Sequence, residues 1–177
     1  MHVHHVSTAA TVQLIAKVKQ HHKQLTCEVT PHHLLLDRNL NQFKNGLYRV
    51  NPPIRSFSDR QALIFGLQTG VIDCIATDYA PHPPAFKQQS FATERPGFSG
   101  LETMFAVIYT YLVQPGLISW NTAVRATAIR PATIIRRHQA VIQVGHPANL
   151  VVIDVQTARQ VNSRRFASAS YSSPFEN

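Results

Sequence analysis

Three short, apolar, β-rich segments constrain this chain more than any other feature. They span residues 2–6, 24–30 and 71–78. Between them, apolar side chains recur at the three- and four-residue spacing of amphipathic helices. A strand–helix–strand–helix–strand order with right-handed crossovers predicts a parallel sheet. Three open parallel strands leave both sheet edges unpaired, so the order predicts part of a larger barrel-like sheet.

Polar residues mark the predicted ends of the helices. Ser7 or Thr8 is predicted to cap the first helix. Ser58 and Gln61 have the spacing of a capping box at the start of the second helix. Gly70 is predicted to end that second helix.

The rest of the chain divides into helices and a β-rich terminus. Two further helices are predicted, at about 100–113 and 119–129. In 141–155, two apolar runs flank a Gly-His-Pro turn, which indicates an antiparallel β-appendage. We therefore predict a barrel part over 1–138 and a β-rich C-terminal segment over 139–177.

The composition is that of a globular protein, with 44% hydrophobic and 15% charged residues among 177. No apolar run approaches the roughly 18 to 20 residues needed to cross a bilayer. Cys27 and Cys74 lie in strand-like runs and are expected to be buried thiols of a reducing compartment. Because no leader pattern is evident at Met1, a cytoplasmic location is expected.

The formal charge of +8 raises the possibility of an acidic partner such as nucleic acid. The basic residues are scattered, however, and the densest pairs are Arg136-Arg137 and Arg164-Arg165. No basic stripe alternates with aromatic residues. A basic, solvated surface is therefore favoured over a nucleic-acid interface.

Polar side chains cluster where the predicted strands end. The first strand ends at His5, the second is followed by His32 and His33, and the third ends at Asp78. In barrels of this kind the catalytic groups lie at the C-terminal ends of the strands. Imidazole and carboxylate suit a zinc-like ion, and a carboxylate beside metal-bound water can take its proton. A single histidine is more often structural than a ligand, so the pattern matters only as a group.

Five motifs in this order resemble the second half of dihydroorotases, in the amidohydrolase superfamily. The motifs are HVSTAATVQLI, EVTPHHLLL, VNPPIRSFSDRQAL, IDCIATDYAPH and PGFSGLE. The resemblance is close over residues 2 to about 113 and looser through VGHPANLVVID and YSSPFEN. It implies strands six to eight of a TIM (β/α)8 barrel, followed by a C-terminal part of a small composite β-domain.

The resemblance also implies a reaction and a metal. Dihydroorotases interconvert N-carbamoyl-L-aspartate and (S)-dihydroorotate in pyrimidine biosynthesis, usually with one or two zinc ions. His5 matches the ligand on the sixth strand of the family. Asp78 matches the aspartate on the eighth strand, which contacts metal and transfers the proton.

Four further positions match residues of the family that contact substrate. Asn51 matches an asparagine that binds the pyrimidine ring, and His82 matches a residue that contacts the substrate carboxylate. Pro96 and Gly97 match a loop whose backbone meets the ring. Asn51 could instead only precede a rigid Pro-Pro turn, and His82 could be an ordinary loop residue.

The chain also departs from the family pattern. The first-strand His-x-His pair, the fourth- and fifth-strand ligands and the residues that hold the substrate carboxylates would all precede residue 1. Tyr79, Arg130 and Asn149 stand where the family usually has histidine, asparagine and aspartate. We therefore expect a complementary N-terminal polypeptide, or a homo-oligomer, to complete the enzyme.

Two alternatives remain open beside an active dihydroorotase. One is a catalytically inactive remnant or structural homologue, because a barrel fold can be retained after its metal site is lost. The other, within the superfamily, is an allantoinase- or hydantoinase-like hydrolase. The combination of Asn51-Pro52-Pro53 with His82 favours dihydroorotase over the allantoinase- and hydantoinase-like hydrolases, and the inactive homologue stays open.

Overall fold

The structure is a computed structural model that describes residues 1–38, 46–87, 93–137 and 141–176. The described part is an α/β fold that contains a parallel sheet, as the order of elements predicts.

The sheet has three strands in the order β1-β2-β3, which are His2–Val3, Thr26–Val29 and Cys74–Ile75. Both pairings are parallel, and Glu28 of β2 lies opposite Cys74 of β3. The strands are shorter than predicted. Single hydrogen bonds extend the two ladders, because Val6 N–H donates to the Glu28 carbonyl at 2.9 Å and Ala76 N–H donates to that of Val29 at 3.0 Å.

Six α-helices occur among the described residues. They are α1 (Ala9–His21), α2 (Pro31–Leu35), α3 (Phe57–Thr69), α4 (Met104–Ile108), α5 (Trp120–Val124) and α6 (Arg130–Ile134). A π-helical turn continues α4, and another joins α5 to α6, so the two predicted C-terminal helices are present with altered windings.

The first helix begins as predicted, with Thr8 as its cap, and α3 ends at Gly70 in the left-handed conformation. The predicted capping box of α3 is wrong by two residues. Ser56 is the cap, and its partner is Asp59, whose carboxylate accepts from the Ser56 N–H at 3.2 Å. The same carboxylate accepts from the Ala9 N–H at 2.9 Å. Asp59 therefore satisfies the first backbone donors of two helices at once.

The short helix α2 was not predicted. Thr30 caps it by accepting from the His33 N–H at 3.3 Å, and Pro31 occupies its first turn. A capping residue followed by proline is a helix-start signal that the sequence does contain.

The main core lies between the sheet and the helices α1, α3, α4 and α5. Its largest fully buried side chains are aliphatic, and they come from several parts of the chain: Leu34, Leu63, Leu67, Ile72, Ile108 and Leu112. A second, smaller apolar cluster joins the loops beyond the strand ends and contains Leu36, Val50, Ile54 and Phe98.

A buried carboxylate fixes the N-terminal side of β3. Asp73 is 6% exposed and accepts from the ammonium of Lys19, from the guanidinium of Arg130 and from the Cys27 N–H at 2.9 Å. Burial alone would raise the pKa of Asp73, but the hydrogen bonds from Lys19 and Arg130 outweigh it and lower the pKa. Asp73 therefore links α1, β2 and α6 through one ionised group.

The C-terminal segment differs from the prediction. The described residues 141–176 contain no strand, and the predicted boundary at 138/139 lies outside the described residues. Apolar side chains of the predicted β-appendage face solvent, with Val144 100% and Val152 99% exposed. Extended segments form strands only when a partner backbone satisfies their N–H and C=O groups, and 141–155 has no such partner here.

Among the described residues, no helix combines the length and apolarity that crossing a bilayer requires.

We expect Asp73→Asn to lower the free energy of unfolding by roughly 2 to 4 kcal/mol at neutral pH, because it leaves two cations without their buried counter-charge. Denaturant unfolding monitored by circular dichroism measures the difference. Asp154→Asn, at a fully exposed carboxylate, is the matched control and should leave the free energy of unfolding nearly unchanged.

The effect of Asp73 should also depend on pH. Its folded pKa lies below the ordinary value of 3.8, so its contribution is complete above that value and is lost as the pH falls towards the folded pKa. The difference between the natural protein and Asp73→Asn should therefore shrink below about pH 4. A difference that stays constant down to pH 2 would contradict the ionised role of Asp73.

Both thiols should be inert in the folded protein. Burial raises the pKa of Cys27 to about 11 and that of Cys74 to about 12. At pH 8, alkylation by iodoacetamide should be about 100-fold slower than that of an unperturbed thiol for Cys27 and about 1,000-fold slower for Cys74, because the thiolate is the nucleophile. Mass spectrometry measures the rate, and both thiols should react at ordinary rates in urea. Rapid labelling without denaturant would contradict the buried placement.

Candidate active site

His5 and Asp78 lie together at the C-terminal edge of the sheet. His5 follows β1 and Asp78 follows β3, and the Nε2 of His5 is 3.6 Å from the Oδ1 of Asp78. Both side chains are partly open to solvent, at 25% and 23% exposure. The structure thus has the proximity that the strand order predicts, and their role as ligands stays a prediction.

Both residues have an unusual backbone conformation. The φ angle is 54° at His5 and 48° at Asp78, in the left-handed region that non-glycine residues rarely adopt. Such conformations cost on the order of 1 to 3 kcal/mol and concentrate at functional sites. At both residues the backbone turns sharply after the strand, and the side chains of His5 and Asp78 approach each other.

The electrostatic surroundings of Asp78 raise its pKa above the ordinary value. Burial raises the pKa of Asp78, His5 opposes this shift, and the nearby carboxylate of Glu28 adds to it. A carboxyl group whose pKa is moved towards neutrality exchanges its proton more readily at physiological pH. The position is therefore suited to accepting and returning a proton.

Glu28 is the site residue that sequence analysis missed. It is 7% exposed, and its two carboxylate oxygens meet three histidines. Oε2 is 3.0 Å from the Nε2 of His2, and Oε1 is 3.0 Å from the Nδ1 of His4 and 3.2 Å from the Nδ1 of His5. The signal was present, since a glutamate in an otherwise apolar strand must have polar partners when it is buried.

The histidine pair His4 and His5 also differs from the expectation. Strand alternation predicts that adjacent side chains point to opposite faces, yet both rings reach the same oxygen of Glu28. The strand β1 has already ended at Val3, and the left-handed turn at His5 breaks the alternation. The prediction of opposite faces is wrong for that reason.

His32 and His33 are buried beside the site and support its walls. The Nδ1 of His33 is 2.6 Å from the Thr30 hydroxyl, and its Nε2 is 3.0 Å from the Pro52 carbonyl. Burial lowers the pKa of His33 to about 4, and burial lowers that of His32 well below its ordinary value. The ring of His32 packs against the edge of Phe98, with centroids 5.0 Å apart. Both rings are neutral supports at physiological pH.

Two loops that carry predicted substrate residues contact each other. Asn51 is exposed and precedes a cis peptide bond to Pro52. The Gly97 N–H donates to the Arg49 carbonyl at 2.8 Å, which joins the loop of Asn51 to the loop of Pro96. These contacts hold the two segments at the same end of the sheet as His5.

His82 belongs to the same group of loops. Its Nε2 is 3.0 Å from the carbonyl oxygen of Pro96, so a protonated Nε2 donates to that carbonyl. This bond connects the loop after Asp78 to the loop of Gly97. The remaining ring nitrogen of His82 is the one that could face a ligand.

Gly97 allows the closest backbone approach in these loops. Its φ is 122°, and a Cβ added there would lie 2.6 Å from the Cβ of Ala80 and 2.7 Å from the Ala80 carbonyl oxygen. Glycine is thus required by the packing of two loops, as well as by any ligand that meets this backbone.

The C-terminal segment returns to the edge of the site. The hydroxyl of Tyr79 donates to the Ser168 hydroxyl at 2.8 Å, and the Ser99 N–H donates to the Ser172 carbonyl at 2.8 Å. Glu102 accepts from the Ala167 N–H at 2.8 Å. Tyr79, which departs from the family pattern, therefore attaches the terminal segment beside Asp78.

The donor set fits a metal ion such as zinc only in part. Two ligands about 2.1 Å from one zinc ion at a tetrahedral angle lie about 3.4 Å apart, close to the 3.6 Å between His5 and Asp78. Catalytic zinc sites use three or more protein ligands. His5 and Asp78 therefore provide two suitable groups, and further ligands are needed for a complete site.

The sequence is similar to bacterial dihydroorotases along its length. It is 43% identical over 178 residues to the dihydroorotase of Mycobacterium tuberculosis and 41% identical over 174 residues to that of Enterococcus faecalis. These alignments cover 99% and 98% of the chain. The chain spans 41% of the length of each of these relatives. No protein-family model matches the chain.

The fold is similar to that of solved cyclic-amide hydrolases. L-hydantoinase from Arthrobacter aurescens aligns with a TM-score of 0.89 at 28% identity, over 99% of this chain and 40% of that one. Dihydropyrimidinase from Brevibacillus agri aligns with a TM-score of 0.87 at 24% identity over the same shares, which supports the fold alone.

The described part of the chain has an α/β fold similar to that of solved hydantoinases. The sequence resembles the C-terminal half of the dihydroorotases, and the resemblance inferred from the five motifs is confirmed.

Gly97→Ala should distort the contact between the two loops and lower the free energy of unfolding by about 3 kcal/mol, because the new methyl group overlaps the Ala80 backbone. Gly116→Ala is the matched control, since Gly116 has a φ of 78° but nothing within 4 Å of an added Cβ. It should cost only about 1 kcal/mol. Equal losses in the two variants, measured by denaturant unfolding, would contradict the close approach.

Proposed function

We propose that this chain forms strands six to eight of a (β/α)8 barrel in a dihydroorotase, followed by a C-terminal part of a composite β-domain. The parallel order β1-β2-β3 and the similarity to dihydroorotases over 99% of the chain support this proposal. In it, residues 1–138 are the barrel part and 139–177 the β-rich segment. The exposed apolar side chains of that segment are consistent with a strand that pairs elsewhere.

The proposed reaction is the reversible cyclisation of N-carbamoyl-L-aspartate to (S)-dihydroorotate. The single observation that carries it is the approach of His5 Nε2 to Asp78 Oδ1 at 3.6 Å, with both residues in left-handed conformations. In the hydrolytic direction, Asp78 takes a proton from the attacking water. It returns that proton to the ring nitrogen as the carbon–nitrogen bond breaks.

A zinc ion is the proposed cofactor, with one or two ions in the complete site. His5 and Asp78 are the residues of this chain that would hold it. When bound, the ion would lower the pKa of a water molecule and polarise the amide carbonyl. The raised pKa of Asp78 then lets the same carboxyl group serve both proton transfers.

Substrate recognition is proposed for the loops around the strand ends. Asn51 is exposed beside the site, and its side-chain amide can donate to and accept from a pyrimidine ring. His82 is proposed to meet the substrate carboxylate. Pro96 and Gly97 present backbone that lies close to Ala80 and offers a flat wall for the ring.

The site needs groups that these residues do not provide. We propose that they come from a complementary N-terminal polypeptide or from another subunit. The small-molecule substrate is the proposed partner, and the cytoplasm, where pyrimidines are made, is the proposed location.

Activity can be tested by joining this chain to the first part of the Mycobacterium tuberculosis dihydroorotase, in place of the 178 residues it matches. The chimera should hydrolyse dihydroorotate in a zinc-dependent manner. Asp78→Asn should lower kcat by about 1,000-fold, since it removes the proton acceptor. Asp154→Asn, at an exposed carboxylate of the C-terminal segment, should leave kcat unchanged.

Other outcomes would decide against the proposal. A folded chimera without activity on dihydroorotate supports the inactive homologue. Preference for hydantoin over dihydroorotate supports the hydantoinase-like alternative. Full activity in Asp78→Asn would contradict the assignment of proton transfer.

A further inference from the structure

We propose that Glu28 is a positioning residue, whose carboxylate holds the Nδ1–H of His5 and so directs the Nε2 of that ring to the point it shares with Asp78. The inference rests on the proposed function, because it concerns how a ligand of that site is oriented. Nothing in the motif pattern assigned a role to Glu28.

The position of Glu28 makes it the meeting point of three strands. It lies in the central strand β2, opposite Cys74 of β3, and its side chain reaches the histidines after β1. A carboxylate that is only 7% exposed needs partners for both oxygens. The described partners are histidines, and no lysine or arginine among the described ion pairs reaches it.

One side of Glu28 is fixed by a short chain of hydrogen bonds. The Nδ1 of His2 is 2.8 Å from the Thr26 hydroxyl, and the Nε2 of His2 is 3.0 Å from the Oε2 of Glu28. A consistent assignment has the hydroxyl of Thr26 donating to His2 and the Nε2–H of His2 donating to Glu28. These hydrogen bonds anchor Oε2 of Glu28, while Oε1 lies within 3.0 Å of the Nδ1 of His4 and 3.2 Å of the Nδ1 of His5.

The other side of Glu28 faces His5. Oε1 is 3.2 Å from the Nδ1 of His5, although the angle is outside hydrogen-bond geometry in this structure. The opposite nitrogen, Nε2, is the one 3.6 Å from Asp78. A neutral imidazole has one N–H and one lone pair, so a proton held on Nδ1 by Glu28 leaves the Nε2 lone pair available. Histidine ligands commonly donate their second N–H to a carboxylate in this way.

A separate metal site at His2, Glu28 and Cys74 explains the same cluster less well. Their potential ligand atoms lie within 4.8 Å of one another. Both nitrogens of His2 are already engaged, however, and burial keeps the thiol of Cys74 protonated by raising its pKa to about 12. The cluster is therefore a support for His5 and not a second site.

The first test measures the tautomer of His5 in the 177-residue chain by long-range 1H–15N correlation spectra at about pH 8, where an ordinary imidazole is neutral. His5 should carry its proton on Nδ1. Glu28→Ala should move that proton largely to Nε2. His22→Ala is the control, because His22 is exposed at the C-terminal end of α1 and should not affect His5. An unchanged tautomer in Glu28→Ala would refute the proposal.

The second test uses Glu28→Gln, which keeps the size of the side chain but removes its charge and replaces one accepting oxygen with an NH2 donor. In the chimera described above, competition with a chromogenic chelator should show zinc binding weakened by 10- to 100-fold. His22→Ala, at an exposed histidine that ends α1, should bind zinc as the unaltered chimera does. Unweakened binding in Glu28→Gln would show that Glu28 acts by packing alone and would overturn the proposal.

The two tests separate this inference from the proposed function. A chimera that binds zinc but does not hydrolyse dihydroorotate would refute the reaction, while the zinc affinities still decide the role of Glu28. Conversely, an active chimera whose zinc affinity does not depend on Glu28 would refute only the positioning role.

Discussion

The parallel pairing of β2 with β1 on one side and β3 on the other is the constraint on which this structure depends. Two hydrogen bonds beyond the strands, from Val6 to the Glu28 carbonyl and from Ala76 to that of Val29, keep the three chain segments aligned where they leave the sheet. This alignment brings His5 and Asp78 from distant parts of the sequence to one point. The left-handed turns at both residues then direct their side chains inwards.

The two ends of the sheet use buried carboxylates in different ways. Asp73, on the N-terminal side, is neutralised by Lys19 and Arg130, so it has the surroundings of a structural ion group. Glu28, near the C-terminal side, meets imidazoles, whose protons can move between nitrogens. In parallel barrels, residues at the N-terminal ends of the strands are expected to stabilise the fold, and residues at the C-terminal ends are expected to take part in catalysis.

The sequence predicts the features that follow from the order of the strands. Predictions from the sequence are wrong where contacts between residues distant in the chain determine the detailed structure. Strand order alone predicts that His5 and Asp78 are neighbours. It cannot show that the turn at His5 brings His4 to the same carboxylate, because alternation assumes that the strand continues. Asp59 displaced the predicted capping box because it also serves α1, a contact distant in sequence.

The C-terminal segment is a second case in which the sequence pattern alone does not determine the structure. Its apolar pattern favours strands, yet residues 141–155 remain unpaired, since a strand forms only against a partner backbone. Glu28 was missed because its importance lies in contacts with residues of β1 that sequence spacing does not reveal.

The most direct measurement of the central claim is the zinc anomalous signal in a crystal structure of the chimera with the Mycobacterium tuberculosis dihydroorotase. The account predicts a zinc ion bonded to the Nε2 of His5 and to a carboxylate oxygen of Asp78, with the Nδ1 of His5 facing Glu28. Zinc bound at His4 and Glu28 instead, or a folded site in which His5 and Asp78 share no ion, would contradict it.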